Sequence, residues 1–120
     1  MAAQAPEPSS PEAIREYHAH IYYDGATRRV AAELRAALGE RFEVTLGRWR
    51  DEPVGPHPGA MYQVAFAPEI FAELLPWLML NRRGLTVLVH PDTGHPVPDH
   101  ADFPLWLGEK LGLDIDKLSQ

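Results

Sequence analysis

The sequence predicts an α+β sandwich on one antiparallel sheet, and three observations carry that expectation. Four short stretches have strand character, two apolar stretches between them have helical spacing, and their order is strand, helix, strand, strand, helix, strand. The 120 residues, 45% hydrophobic and 23% charged, suffice for one modest core and are too few for two domains.

Residues 1 to 13 hold Pro6, Pro8 and Pro11 among small and polar residues, so a disordered leader is expected there and a single domain over 14 to 120. Tyr17 to Tyr23 reads as the first strand, with His18, His20 and Tyr22 on one face and Ala19, Ile21 and Tyr23 on the other. Thr27 to Leu38 reads as a helix: Val30, Leu34 and Leu38 recur at i+4, Arg29 and Glu33 form an i,i+4 pair, and Gly39 suits the position after the helix.

Arg41 to Arg50 alternates as a second strand, with Phe42, Val44 and Leu46 opposed by Glu43, Thr45 and Trp49. Pro53, Pro56 and Pro58 make Asp51 to Gly59 a loop, and Met61 to Ala67 is a third strand. Pro68 fits the first position of a second helix carrying Ile70, Phe71, Leu74 and Leu75, which Pro76 should kink or restart and Gly84 end. Leu85 to His90 is an apolar fourth strand, and Pro91, Pro96 and Pro98 mark the next loop. Phe103, Trp106, Leu107, Leu111 and Leu113 suggest that the tail, Asp102 to Leu118, adds a short helix over one sheet edge.

That order is the ferredoxin-like βαββαβ sandwich, with sheet order 4-1-3-2, both helices on one face and the other face open. A second copy is the expected cover for the open face, giving a homodimer with a ligand cavity between sheets.

Charge and composition exclude several functions. With 17 acidic residues against 11 basic ones the net charge is −6, a poor match to nucleic acid. There is no cysteine, so disulfides, thiol catalysis and thiolate metal sites are excluded, consistent with a reducing, cytoplasmic setting. The most apolar window, Leu74 to Leu80, is short and contains Pro76, so no membrane span or signal peptide is expected.

Six histidines are the informative feature. The sheet order sets the end of strand four beside the start of strand one, so His90 should lie near His18 and His20 on the open face, and the following loop returns His95 and His100 to the same end. Several imidazoles in one cleft suit Fe(II), Mn(II) or Zn(II). Asp99, Asp24 and Glu52 are the acids that could complete a ligand set. The strand order by itself puts the Gly55 to Pro58 loop at the sheet end opposite His90, so His57 would reach the cleft only if that loop folds back or crosses from a partner subunit. Trp49, Trp77 and Tyr62 could wall an aromatic pocket, and Arg82 could pair with a substrate carboxylate.

The strings His18-Ala-His20-Ile21-Tyr22-Tyr23, Gly55-Pro56-His57-Pro58, Trp77-Leu78-Met79-Leu80-Asn81-Arg82, Leu85-Thr86-Val87-Leu88-Val89-His90-Pro91, Asp99-His100 and Trp106-Leu107-Gly108 occur in that order. Together they resemble the DOPA 4,5-dioxygenase family of small extradiol ring-cleaving proteins, over about residues 17 to 114. The resemblance implies a dimer, non-haem iron(II), O2 and a catechol substrate, and it marks His20, His57, His90 and His100. On it, His20, His57 and His90 are expected to hold the metal. His100 is the expected acid-base group, oriented by Asp99 or Tyr22, and Tyr22, Trp49 and Arg82 are the expected substrate contacts. The alternatives are a non-enzymatic dimeric module that binds a small aromatic ligand, and a metal site with hydrolytic work.

Overall fold

The computed structural model describes residues 7 to 118. Its elements are β1 (Glu16–Tyr22), α1 (Arg28–Arg41), β2 (Thr45–Leu46), β3 (Met61–Phe66), α2 (Phe71–Asn81), β4 (Val87–Asp92), α3 (Pro96–Ala101) and β5 (Leu105–Leu107). They form one antiparallel sheet in the order β2-β3-β1-β4-β5, so the expected 4-1-3-2 arrangement is present with a fifth strand beside β4.

One sheet face is the core. Ala19 and Ile21 of β1, Tyr62, Val64 and Phe66 of β3, and Val87 and Val89 of β4 pack against Ala31, Leu34 and Leu38 of α1 and Leu74, Leu75 and Leu78 of α2. The buried Tyr62 hydroxyl donates to the Ala31 carbonyl at 2.7 Å, tying α1 to the sheet. α1 runs past Gly39 to Arg41, and a side chain at Gly39 would press on Leu46, so the glycine serves close packing, not termination. Glu33 pairs with Arg83 across the fold, not with Arg29 on its own helix. α2 continues through Pro76, which lies on the exposed side, instead of restarting there.

The second expected strand is shortened by a β-bulge. Thr45 pairs with Ala65 and Leu46 with Val64, but Arg50 pairs with Met61, one residue later than that register requires. The extra residue lies beyond Gly47, whose N–H donates to the Gln63 carbonyl at 2.7 Å and where an added Cβ would sit 3.1 Å from that oxygen. A one-residue slip inverts the faces. Trp49 therefore turns into the helix-covered core against Tyr62 and Tyr23, while Arg48 and Arg50 turn to the other side.

The other face is covered by the chain itself. Tyr22, Met61 and Leu88 are buried beneath Trp106, Leu111 and Leu113 of the tail. The tail supplies β5, an irregular segment and, as its only helical part among the described residues, a single 3-10 turn at Ile115–Lys117, and the Asp114 N–H binds the Pro56 carbonyl at 2.9 Å, clasping the tail to the 51–60 loop. An exposed apolar sheet face was the reason to expect a homodimer there, and that reason is removed. The Pro91 to Asp102 stretch is not all loop: Pro96 starts α3, where its missing N–H costs nothing. Within the expected leader, Pro11–Ala13 form a 3-10 turn capped by Ser10, and residues 1 to 6 lie outside the described part. No helix among the described residues is long and apolar enough to cross a membrane.

A candidate metal centre on the tail-covered sheet face

Strand periodicity puts His18, His20 and Tyr22 on one face of β1, and antiparallel pairing sets His18 directly opposite His90. The 51–60 loop folds back over this face and brings His57 in from the same chain; its ring centroid is 4.2 Å from that of His20. α3 delivers His100, 3.9 Å from His90 and 6.1 Å from both His20 and His57. Five histidines thus converge, His20, His57, His90 and His100 among them buried. His95 stands apart, exposed before α3.

Hydrogen bonds fix which ring nitrogens are free. A carbonyl only accepts, so His90 Nδ1 must donate to the Pro91 carbonyl at 2.9 Å and His100 Nδ1 to the Pro96 carbonyl at 2.7 Å. Each ring, when neutral, then carries its lone pair on Nε2. His20 Nε2 lies 3.0 Å from His90 Nε2, and since the latter has no proton to give, His20 is the donor. The lone pair of His20 is left on Nδ1, which is buried and has no hydrogen-bond partner among the described residues. His57 Nδ1 meets the Tyr22 hydroxyl at 2.7 Å.

The imidazoles are held neutral. Burial, and then the proximity of His57, His90, His100 and His18, keeps His20 well below the ordinary value. Burial, followed by the neighbouring His100, pushes His57 and His90 down to about 4. Burial lowers His100 as well, and raises the Tyr22 hydroxyl so that it stays protonated. Neutral rings with aimed lone pairs are what a metal ion requires of histidine.

Two triads have ring nitrogens close enough to share an ion: His20, His57 and His100, and His18, His20 and His90. The expected ligands divide between the two, His57 in the first and His90 in the second, and His20 is common to both triads. A buried, unpartnered nitrogen in the shared residue fits a metal, because an apolar burial of that acceptor would otherwise be costly. The acids expected to help belong to neither of these triads. Asp99 accepts from Thr93 N at 2.8 Å and Thr93 Oγ1 at 2.6 Å, Asp24 holds Thr27 ahead of α1, and Glu52 is exposed. Glu16, unforeseen, contacts His18 Nε2 at 2.5 Å. A third triad, Glu16, His18 and Asp92, lies at this edge.

A cavity of about 330 Å³ opens onto His18, His20, His57 and His100. Arg48 and Arg50 line it and were missed from sequence, because unbroken alternation assigns them the core-facing side. Tyr22 binds His57, so it supports a histidine of the site instead of orienting His100. Trp49 lies beneath Arg28 on the helix side, 4.2 Å from guanidinium carbon to ring centroid, and takes no part in the cavity. Trp77 packs on Phe42 there too. Arg82 donates to the Leu85 carbonyl at 2.8 Å and lies against Gly108, where a Cβ would meet its Nη1, so it braces a turn away from the histidines.

Comparison with known proteins puts a family on this geometry. The model of the Dopa 4,5-dioxygenase family matches residues 17–117. Among curated proteins, an uncharacterised 21.2 kDa protein of Botryotinia fuckeliana is 38% identical over 111 residues, covering 82% of this chain and 61% of its own length. A DOPA 4,5-dioxygenase of Amanita muscaria is 35% identical over 114 residues, covering 88% of this chain and 50% of its own. The chain thus spans between half and about three-fifths of the length of these relatives. A crystal structure of a candidate dioxygenase from Nostoc punctiforme superposes with a TM-score of 0.90 at 56% identity, over 92% of this chain and 96% of that one.

Proposed function

The chain belongs to the Dopa 4,5-dioxygenase family, and from that premise we propose that it is a non-haem iron(II) dioxygenase that opens the ring of a catechol, next to a hydroxyl-bearing carbon, with O2. In this reading His20, His57 and His100 hold the metal. The observation that carries the assignment is the unpartnered Nδ1 of His20, fixed as a lone pair by the relay from the Pro91 carbonyl through His90. His57 and His100 face the same cavity as His20, whereas His90 does not line it. This departs from the sequence expectation: His90 becomes a positioning residue and His100 a ligand.

When bound, the metal would bring catechol oxygens and O2 together and lower the proton affinity of the catechol hydroxyls. The chain supplies the rest. His18 faces the cavity with its Nε2 proton directed at Glu16, so Nδ1 is free to take a proton from a catechol hydroxyl, and the Glu16 carboxylate balances the resulting charge. Val54, Met61 and Leu118 give the ring apolar walls. One O2 is consumed per catechol, and both oxygens remain in the ring-opened product.

Oxygen uptake by anaerobically iron-loaded protein with a catechol panel, read beside the rise of a yellow product, tests this. Uptake matched one-to-one with product supports it. Chelator-insensitive binding without oxygen consumption favours the small aromatic-binding module, and metal-dependent turnover without oxygen favours a hydrolase. The homodimer and the cytoplasmic setting are part of the reading. The dimer now rests on Phe103 and Leu105, 54% and 39% exposed beside an apolar cavity of about 750 Å³, and the setting on the absence of cysteine. Sedimentation at twice 13.4 kDa would support the dimer.

A further inference from the structure

We infer that Arg48 and Arg50 select the substrate of this site, and that it is a catechol carrying a carboxylate arm and no ammonium group; the inference rests on the catechol reading above. Arg48 and Arg50 both line the histidine cavity, both residues are exposed, and neither side chain has an ion-pair or hydrogen-bond partner among the described residues. No Asp or Glu lines that cavity. Two of the nearby acids are committed, Glu16 to His18, and Asp51 to Arg28 at 2.9 Å and to the Tyr23 hydroxyl at 2.7 Å, while Glu52 is exposed outside the cavity lining. In a chain of net charge −6, two unpaired cations at the mouth of a cavity are a concentrated positive field.

The backbone spends a β-bulge on this placement. With unbroken pairing the arginines would share the face of Leu46 and point into the core, and the extra residue after Gly47 brings them to the cavity. The planar guanidinium matches a carboxylate through two parallel hydrogen bonds, and the residual field repels a cation. Around 330 Å³ is enough for one aromatic ring and a short arm. Ring hydroxyls at the histidines and the arm toward Arg48 and Arg50 use both ends of the cavity. An amino acid arm brings an ammonium group for which this cavity has no carboxylate.

Calorimetric titration of the zinc-loaded protein, which binds without turnover, decides the matter with four probes: 3-(3,4-dihydroxyphenyl)propionate, its methyl ester, DOPA and dopamine. The acid should bind about tenfold or more tighter than the ester, as a bidentate arginine–carboxylate pair gives, with DOPA weaker than the acid and dopamine weakest. In Arg48→Gln/Arg50→Gln the ratio of acid to ester affinity should fall toward one, and in Arg29→Gln, on the exposed side of α1, it should persist. Equal affinity of the unaltered protein for acid and ester, or an undiminished ratio in the double variant, overturns the inference. Oxygen uptake is scored separately: its absence with every catechol removes the dioxygenase reading, while the acid-to-ester ratio still decides the role of the arginines.

Discussion

Arg50 stands opposite Met61 where an uninterrupted ladder would set Trp49, and this single displaced pairing exchanges which residues of the second strand see the core and which see the histidines. Gly47 permits it by letting the chain approach Gln63 closely.

Gly47→Val should therefore cost about 1–3 kcal/mol, as overpacking does, and should also blunt the preference for acid over ester as the bulge shifts. Thermal melting and the same calorimetric ratio check the two effects together. A variant as stable as the parent with the preference intact would remove the bulge from the account.

His20→Ala should lose the metal outright, and so should His100→Ala. His90→Ala should retain it with roughly 10- to 100-fold weaker affinity, the usual effect of losing a group that orients a ligand. Metal content after dialysis, each variant matched by its melting profile, measures this. Should His90→Ala lose the ion while His100→Ala keeps it, the ligand set is the one built on His18, His20 and His90.

Acid should destabilise the metal-free protein through its histidines. The folded state holds His57 and His90 down to about 4 against an ordinary 6.5, so below pH 6.5 the unfolded chain binds more protons than the folded one. The stability conferred by the neutral rings is complete above pH 6.5 and lost as pH falls toward 4. Urea titrations across that interval should show the decline, and His57→Gln should flatten it. An unchanged slope in that variant would contradict the assigned state of His57.

Tyr62→Phe should cost about 1 kcal/mol, since it removes the hydrogen bond by which the buried Tyr62 hydroxyl ties the sheet to the Ala31 carbonyl of α1. Chemical denaturation measures it, and oxygen uptake should be untouched because Tyr62 faces away from the histidines.

Much of this arrangement is legible in the chain. Alternation in β1 puts His18 and His20 opposite Ile21, and the apolar run of β4 makes it interior, which together bring His90 to His18. The bulge is not legible, because one inserted residue leaves no period to detect, and unbroken alternation sets Trp49 on the side opposite to the one it occupies. Nor does local sequence reveal that the 51–60 loop folds back: the bond from Asp114 to Pro56 joins segments far apart in the chain. The helix at Pro96 hides behind its prolines, which read as a loop although the first turn tolerates them. Family resemblance named His57 where topology could not.

The clasp between tail and loop bears on how the protein works in a population of molecules. The five converging histidines, both arginines and the tail that covers this sheet face come from one polypeptide. Each chain should bind one metal ion and saturate with its substrate hyperbolically, without cooperativity. Rate per chain should stay constant on dilution.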